Sequence, residues 1–374
     1  MFVVAFAVAC GGTIQSSVGG DGSADGTSTS DAGPAPDDAT VLDAAVVDAP
    51  YLDGPLPCDA GGPCFAPPLV LVSGQPKPPT LLAVDTTHVY FTDDWGIFEC
   101  GLGGCNQTPT TLWSSTHFYI EGIAVSNGSV YFPAGLQYVA SCATSGCNQT
   151  PTNLLSTLNT HFYGFAADAL DVYWAGDSAV QACSLGGCNE TPYTYATPPN
   201  IEALGVGDGF VAWTQEDTMV AVCPKGGCAG APLVLATNQR YPSAIAVANG
   251  VVYWIVMGQG NGGHNVPISK FTNGAVVACA VTGCGGNPTV LASYPLWLGG
   301  GAIVADATGV YWSTEDISGT FGEIVGCPSS GCTGAPQVYA TTHTKAPTRG
   351  VALDPSNVYW TDQGLAAVLA TARF

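Results

Sequence analysis

The chain has 374 residues, of which 47% are hydrophobic and only 9% are charged, and its 28 acidic and 7 basic side chains give a formal net charge of -21. Because nucleic acid phosphates and anionic lipid surfaces repel such a chain, we expect neither as a direct partner. The 49 glycines and 27 prolines favour turns and short strands over long helices.

The N-terminal segment indicates export. Residues 1–9 read MFVVAFAVA, an apolar run too short to span a bilayer, and Cys10 follows directly. The end of this run and Cys10 resemble the lipobox of bacterial lipoproteins, in which the cysteine is lipidated. The resemblance implies a lipid anchor on Cys10 and a place at the bacterial outer membrane or cell surface, or facing the periplasm. The alternative is a small buried strand with an ordinary cysteine.

Residues 11–57 consist mainly of Gly, Ser, Thr, Ala, Asp and Pro and contain no Lys or Arg. This composition cannot bury enough apolar surface to offset the entropy lost on folding. We predict a disordered, self-repelling tether with a root-mean-square span of roughly 35 to 40 Å. The lipid would then be the only contact with the membrane.

Residues 58–374 contain a repeat. Short hydrophobic runs end, every ~40 to 45 residues, in a Val-aromatic-aromatic step or a close variant, which is typical of propeller blades. We predict an all-β fold, a seven-bladed β-propeller of four-stranded antiparallel blades, with six or eight blades as the alternative. The steps are Val89-Tyr90-Phe91, Val130-Tyr131-Phe132, Val172-Tyr173-Trp174, Val211-Ala212-Trp213, Val252-Tyr253-Trp254, Val310-Tyr311-Trp312 and Val358-Tyr359-Trp360.

The two ends of the repeat region complement each other. Residues 64–73 align with residues 105–114, although no aromatic step precedes them, and the last copy has no cysteine pair. We therefore predict that Leu69 to Val72 form the outer strand of the blade whose inner strands come from residues 350–374. This pairing would close the ring and cover the sheet edges at its ends.

Besides Cys10, fourteen cysteines form seven close pairs. On an exported chain such pairs predict disulfides, each stapling one hairpin. Structural zinc needs four ligands around one point, and pairs in separate blades cannot converge, so we expect no metal. The predicted pairs are Cys58 with Cys64, Cys100 with Cys105, Cys142 with Cys147, Cys183 with Cys188, Cys223 with Cys228, Cys279 with Cys284 and Cys327 with Cys332.

Two polar positions also recur and are interpreted as turns. An aspartate stands five residues before the first aromatic residue of the step in four copies, where it can cap its own backbone. An Asn-x-Thr sequence follows the second cysteine in three copies, and in a bacterial lipoprotein we interpret it as turn chemistry rather than as a glycosylation acceptor. The positions are Asp85, Asp168, Asp306 and Asp354, and Asn106, Asn148 and Asn189.

The step at Val358-Tyr359-Trp360 continues with Thr361-Asp362 and resembles the YWTD motif of the propellers in low-density lipoprotein receptor relatives. Residues 88–93 are a near copy, whereas the other copies lack the Thr-Asp. The resemblance covers residues 58–374 and implies a propeller; YWTD propellers are usually six-bladed. Lipobox, tether and stapled repeats together resemble surface lipoproteins of myxobacteria, most of which have no assigned activity.

Irregular loops gather on one face of the predicted ring, here named the loop face, and tight turns on the other, the turn face. The loop face carries insertions at residues 256–274 and 315–321, and binding residues are expected on such loops. Polar and aromatic side chains before the inner strands and in the crossing loops predict a ligand or cation site, with solvated charges and packed rings as the alternative. They are Glu121, Tyr163, Glu202, Arg349, His117, His161, Tyr241, Trp297 and His264.

The sequence contains no catalytic motif in its required context, because its five histidines are dispersed and no metal-binding, nucleophile-elbow or phosphate-binding pattern occurs. We predict an exported, lipid-anchored, monomeric and non-enzymatic protein, without cofactor, that binds or scaffolds an unknown glycan, peptide or protein through its loop face. The alternative is an exported propeller hydrolase or lyase using Glu121 and Glu202 with a divalent cation.

Overall fold

The computed structural model describes residues 67–156, 158–215, 219–258, 272–296, 298, 301–314, 322–342 and 348–373. Within these ranges, 28 strands form seven four-stranded antiparallel sheets. The predicted seven-bladed β-propeller is therefore confirmed. The predicted signal segment with Cys10 and the predicted tether lie outside the described residues and stay predictions.

In the described part of the chain there is no helix of the length and apolarity that a membrane crossing requires.

Each of blades 1 to 6 runs from inner strand to outer strand in chain order. The first strand in the chain is β1 (Leu69–Val72). Blades 1 to 3 comprise β2 (Leu82–Val84), β3 (His88–Thr92), β4 (Gly96–Gly101) and β5 (Thr110–Ser114); β6 (Ala124–Ser126), β7 (Ser129–Ala134), β8 (Tyr138–Ala143) and β9 (Thr152–Leu155); and β10 (Gly164–Ala167), β11 (Asp171–Ala175), β12 (Val180–Ser184) and β13 (Tyr193–Ala196).

Blades 4 to 6 follow the same plan, and blade 7 is composite. Blades 4 to 6 comprise β14 (Ile201–Gly207), β15 (Phe210–Gln215), β16 (Met219–Pro224) and β17 (Leu233–Thr237); β18 (Pro242–Ala248), β19 (Val251–Val256), β20 (Thr272–Ala280) and β21 (Thr289–Leu296); and β22 (Ile303–Ala305), β23 (Gly309–Ser313), β24 (Gly322–Pro328) and β25 (Gln337–Thr342). Blade 7 consists of β26 (Val351–Leu353), β27 (Asn357–Asp362), β28 (Ala367–Ala372) and β1.

Ring closure occurs where the sequence predicts it. Strand β1 pairs antiparallel with β28, and Leu69 lies opposite Ala370 and Val72 opposite Val368. The N-terminal strand thus completes the C-terminal blade, and the ring has no open end between its first and last sheets.

The aromatic step packs neighbouring blades together. Because side chains alternate along a strand, the tyrosine of one step faces the next blade and the following aromatic ring faces the previous one. Tyr359 of blade 7 therefore packs with Phe91 of blade 1, and Tyr311 of blade 6 packs with Trp360 of blade 7. Burying such a side chain stabilises the fold by about 2 to 3 kcal/mol. The repeat is thus the interface that holds the ring together.

The recurrent aspartates cap their turns, as predicted. Asp85 Oδ1 accepts hydrogen bonds from the N–H groups of Thr87 (2.7 Å) and His88 (2.8 Å), and its Oδ2 accepts the Tyr90 hydroxyl (2.8 Å). Asp168, Asp306 and Asp354 cap equivalent turns.

Two of these aspartates also bind a cation from the following blade. Lys225 Nζ of blade 4 lies 2.7 Å from Asp168 Oδ2, and the Arg373 guanidinium of blade 7 donates to Asp306. Lys225 and Arg373 occupy equivalent positions, because each N–H donates to the turn of its own blade in the same way. Each pair therefore links two neighbouring blades.

These ion pairs predict an acid-sensitive component of stability. Burial tends to raise the pKa of Asp168 and Asp306, but the hydrogen bonds from Lys225 or Arg373 and from the turn lower it to about 2, below the ordinary 3.8. Carboxyls whose pKa is depressed by folding stabilise the fold at pH values above the unfolded pKa and lose that effect as the pH falls through the folded pKa. Between about pH 4 and pH 2, the midpoint temperature of thermal unfolding should therefore fall less steeply for an Asp168→Asn, Asp306→Asn double variant than for the wild type. Parallel declines would contradict this prediction.

Six of the seven predicted cysteine pairs lie within the described residues, and their Cα atoms are 5.1 to 5.6 Å apart, the separation that a disulfide requires. The remaining prediction, Cys58 with Cys64, lies outside the described residues and stays a prediction. The pairs found as predicted are Cys100 with Cys105, Cys142 with Cys147, Cys183 with Cys188, Cys223 with Cys228, Cys279 with Cys284 and Cys327 with Cys332.

The paired hairpins also reach across to the outer strand of the preceding blade. The N–H of Cys105 donates to the carbonyl of Leu71 (3.2 Å), and Cys147 Sγ lies 3.7 Å from the carbonyl of Leu112. The hairpins therefore cover strand edges that would otherwise be free to pair with other chains.

The Asn-x-Thr turns bind the neighbouring blade as well. The middle residues Gln107, Gln149 and Glu190 have left-handed φ angles of 63°, 62° and 59°. Their side-chain oxygens accept the backbone N–H groups of Ser73, Ser114 and Ser156, which end the outer strands of the preceding blades. In blades 4 and 5 the equivalent residues are Gly230 and Gly286. A left-handed backbone conformation costs Gln107, Gln149 and Glu190 more energy than it costs glycine, but each of their side chains forms a hydrogen bond to the preceding blade.

Replacing Cys183 and Cys188 together by serine should free one hairpin while the ring stays folded. On the loop-entropy model such a small ring contributes about 2 kcal/mol. Since Gly187 of this hairpin lies over Leu154, hydrogen exchange should rise in β9 and β13 and remain unchanged in blades 5 to 7. Unfolding of the whole ring at moderate temperature would contradict the expectation.

Candidate functional site

Glu121 connects the loops that precede the inner strands of blades 2 and 3, on the loop face. It lies just before β6, its Oε2 accepts the N–H of Phe162 (2.9 Å), and its Oε1 lies 3.4 Å from Nδ1 of His161. The two side chains are 29% and 56% exposed, respectively. Glu121 and His161, both predicted as site residues, therefore form an accessible acid–base pair.

Asp177 completes this group, although the sequence analysis did not single it out. It lies between β11 and β12, where its Oδ2 accepts the N–H of His161 (3.0 Å) and its Oδ1 accepts the hydroxyl of Tyr163 (3.0 Å). Burial tends to raise the pKa of Asp177, but these bonds and that from Thr160 hold it below its ordinary value. Asp177 is therefore ionised at neutral pH and fixes the loop that carries His161 and Tyr163.

Tyr163 lies at the centre of the group and is 44% exposed. Burial, the bond to Asp177 and the charges of Asp177, Glu202 and Glu121 raise its pKa. Glu202, an exposed residue near the start of β14, is thus within electrostatic range. Hydrogen bonds and close contacts thus join three of the predicted residues to Asp177, and these four, together with Glu202, whose charge acts on Tyr163, are named the loop-face cluster: Glu121, His161, Tyr163, Asp177 and Glu202.

A pair of aromatic rings lies on the same face between blades 1 and 2. The rings of Trp95 and Tyr119 have centroids 4.2 Å apart, and Lys77 Nζ lies 5.4 Å from the Trp95 ring. Tyr119 is 56% exposed. Asp93 holds the Trp95 turn, since its Oδ1 accepts the N–H groups of Trp95 (2.7 Å) and Gly96 (2.6 Å). An aromatic residue within a polar inter-strand turn was the available sequence signal for Trp95.

The Thr-Asp of the YWTD-like steps has a structural role. The hydroxyl of Thr361 donates to the carbonyl of Thr80 in blade 1 (3.2 Å), and that of Ser313, at the equivalent position in blade 6, donates to the carbonyl of Thr348 (2.7 Å). Asp362 Oδ1 accepts the N–H of Leu365 (3.0 Å). These residues link blades and cap turns.

Three further predicted site residues lie in loops of this face that precede inner strands. His117 precedes β6 and its Nδ1 lies 2.8 Å from the hydroxyl of Thr116. Tyr241 precedes β18 with a left-handed φ of 52°, and Arg349 is exposed just before β26. Trp297 and His264 lie outside the described residues.

Among the described side chains, no group of three or more His, Cys, Asp and Glu residues is placed to hold a metal ion. The alternative prediction of a cation between Glu121 and Glu202 therefore depends on those two carboxylates and on added water ligands.

No protein-family model and no curated protein matches the chain. Among solved structures, it is similar to virginiamycin B lyase from Staphylococcus aureus (TM-score 0.60, 13% identity, 82% of this chain and 99% of that chain) and to YCF48 bound to D1 peptide (0.57, 10%, 83% and 98%). It is also similar to the Pan2 WD40 domain of Neurospora crassa (0.57, 11%, 80% and 90%). At such identities the likeness concerns the fold alone, which a lyase and a peptide-bound protein share.

Proposed function

We propose that this chain is an exported, lipid-anchored, non-enzymatic propeller that binds a peptide or protein partner through its loop face. The observation that carries the proposal is the loop-face cluster, in which the hydroxyl of the half-exposed Tyr163 donates to Asp177 and the charges of Glu121 and Glu202 act on the same ring. Exposed tyrosine and tryptophan side chains held in one geometry are the residues that dominate binding energy at protein interfaces. Trp95 and Tyr119 supply a second such pair on the same face.

Charge indicates the kind of partner. The cluster contains three carboxylates and one histidine, and the whole chain carries a net charge of -21. A field of one sign speeds the approach of an oppositely charged partner and repels others. We therefore expect the partner segment to carry Lys or Arg residues.

The anchoring part of the proposal rests on the lipobox-like step before Cys10 and on the paired cysteines, which are typical of chains that fold in oxidising compartments. Mass spectrometry of the N-terminal peptide, isolated from membranes of the producing cell, should find a diacylglyceryl group on Cys10. An unmodified Cys10 in that fraction would contradict this part alone.

The binding site is tested with the full chain on peptide and glycan arrays. Basic peptides should bind, and Tyr163→Ala and Tyr119→Ala should each weaken that binding about tenfold or more, because each change removes a large contact side chain. Tyr193→Ala is the matched control for peptide binding alone and should leave the binding of basic peptides unchanged, since Tyr193 is 50% exposed but lies on the turn face. Peptide binding that survives both loop-face changes, or the absence of any peptide ligand, would contradict the proposal.

A second candidate is a propeller hydrolase or lyase in which Glu121 and Glu202 share a divalent cation. The pairing of His161 with Glu121 favours it, because a histidine beside a carboxylate can transfer protons. Soaking crystals in calcium tests the cation directly. An ion within about 2.6 Å of both carboxylates supports this candidate, and crystals in which both side chains face solvent without an ion argue against it.

A further inference from the structure

A cavity of about 290 Å³ lies between blades 3 and 4 on the turn face. Blade 3 contributes its cysteine-paired hairpin and outer strand, and blade 4 contributes the turn at Lys225 and Gly226. The side chains that matter for binding are Asp171, Ser184, Thr191, Tyr193, Tyr195 and Lys225. None of them belongs to the loop-face cluster.

The repeat provides an internal control for this cavity. Strand registers give the equivalent positions: Tyr193 lies opposite Ala182 in blade 3 as Leu233 lies opposite Val222 in blade 4. The equivalents of Tyr195 in blades 1, 2, 4, 5 and 7 are leucines, and those of Lys225 in blades 1, 3 and 5 are aliphatic. These residues are Leu112, Leu154, Leu235, Leu291 and Leu71, and Leu102, Leu185 and Val281.

Packing of the ring therefore does not require polar and aromatic residues at these positions. The boundary between blades 6 and 7 has the nearest equivalents, Tyr339 and Arg373, but there the arginine side chain is buried to 2% exposure between the blades. Between blades 3 and 4 the Lys225 side chain is 23% exposed and Tyr193 is 50% exposed. The departure from the repeat thus leaves an open, polar and aromatic cavity at one boundary.

The walls of the cavity are fixed in place. The Tyr193 and Tyr195 rings meet edge to face with centroids 4.8 Å apart, and the Tyr195 hydroxyl donates to the carbonyl of Lys225 (2.9 Å). Asp168 accepts one hydrogen bond from Lys225 Nζ (2.7 Å), and an ammonium group has three donors in all. The Tyr193 ring is therefore held against Tyr195, and Asp171 and Lys225 supply hydrogen-bonding groups in the same cavity.

The ligand chemistry follows from these groups. An exposed ring suits the apolar C–H face of a sugar, while a carboxylate, an ammonium group and hydroxyls match its ring of hydroxyl groups, each of which donates and accepts. Lys225, the one cation among the described residues that line the cavity, is already paired with Asp168, and the carboxylate Asp171 lines the cavity as well, which disfavours an anionic ligand. The volume is at the small end of ligand pockets and suits a single ring.

We propose that this cavity binds one residue of a neutral saccharide, which stacks on Tyr193 and hydrogen-bonds to Asp171 and Lys225. The site is separate from the proposed peptide-binding face, so either can be wrong without the other.

Saturation-transfer NMR on the full chain tests the proposal with neutral methyl glycosides of glucose, galactose, mannose and N-acetylglucosamine, and with glucuronate and choline as charged probes. At least one neutral glycoside should bind, and glucuronate should not. Tyr193→Ala should weaken glycoside binding about tenfold, because the stacking surface is lost, and Asp171→Asn should also weaken it. Tyr193→Phe should retain binding. Leu233→Ala, the equivalent change in blade 4, should leave binding unchanged.

Several results would overturn the proposal. Binding of choline alone would identify a cation pocket, and the absence of glycoside binding at tens of millimolar would exclude a saccharide site. Glycoside binding that survives Tyr193→Ala but is lost in Tyr163→Ala would move the sugar to the loop face. Thermal midpoints within a few degrees of the wild type establish that the variants fold.

Discussion

Replacing Asp306 by asparagine is expected to lower the free energy of unfolding by about 2 to 3 kcal/mol. The change leaves the turn intact, since the amide oxygen can still accept the N–H groups of Thr308 and Gly309. It removes the counter-charge of Arg373, whose side chain is only 2% exposed. Leaving a buried charge unpaired costs about 3 to 5 kcal/mol, and the 35% exposure of Asp306 places the expected loss below that range, because solvent already screens this carboxylate.

The matched control is Asp85→Asn in blade 1. Asp85 caps the same turn and binds the Tyr90 hydroxyl, but the residue equivalent to Arg373 in the next blade is Thr144. This variant leaves no buried cation without its counter-charge, and the asparagine amide can still donate a hydrogen bond to the Tyr90 hydroxyl, so we expect a loss of only about 1 kcal/mol, the net value of one ordinary hydrogen bond. Urea unfolding of both variants at neutral pH, followed by tryptophan fluorescence, measures the difference. Equal losses would mean that the pairing of Arg373 with Asp306 adds nothing to the joining of blades 6 and 7.

The blades and ring closure were predictable because the relevant signal is periodic. The aromatic steps mark each second strand, and residues 69–72 carry the outer-strand pattern, which predicted the pairing of β1 with β28. Each second strand is buried on both faces by the neighbouring blades, so the same side-chain pattern is required there in every blade. A pattern that packing imposes seven times can be identified from sequence alone.

The site was only partly predictable because its contacts join different loops. Glu121, His161 and Tyr163 stand at equivalent or neighbouring loop positions, and alignment of the repeats identified them. Asp177 belongs to a different loop, and no repeated pattern indicates that it bonds to His161 and Tyr163.

The Asn-x-Thr turns show the same limit of sequence patterns. Gln107 was interpreted as part of a turn, which it is, but its bond to Ser73 of blade 7 depends on how neighbouring blades are placed. Alignment of the repeats identifies the turn, whereas the partner becomes visible only once the ring is assembled.

Leu71→Ala should disturb a larger part of the ring than the equivalent substitution Leu112→Ala. Leu71 of β1 is 1% exposed, and Leu112, its equivalent in β5, is 2% exposed. Truncating a buried leucine costs about 3 kcal/mol, so both variants should be destabilised by similar amounts at equilibrium.

The two variants should differ in how far the damage spreads. Strand β5 is joined to β4 by its own hairpin and by the pairing of Cys100 with Cys105, so a loosened β5 remains near its partner. No hairpin joins β1 to its partner β28, because nearly the whole ring separates the two strands in sequence. Once detached, β1 must close a far longer loop to return, at a higher entropic cost.

Hydrogen exchange followed by mass spectrometry distinguishes the two cases. In the Leu71→Ala variant, peptides covering β27 and β28 should lose protection along with β1, since the outer neighbour of the last blade is gone. In the Leu112→Ala variant, the loss should stay within blade 1 and the hairpin that covers its outer strand. Identical, local patterns in both variants would show that the pairing of the chain ends does not hold the ring closed.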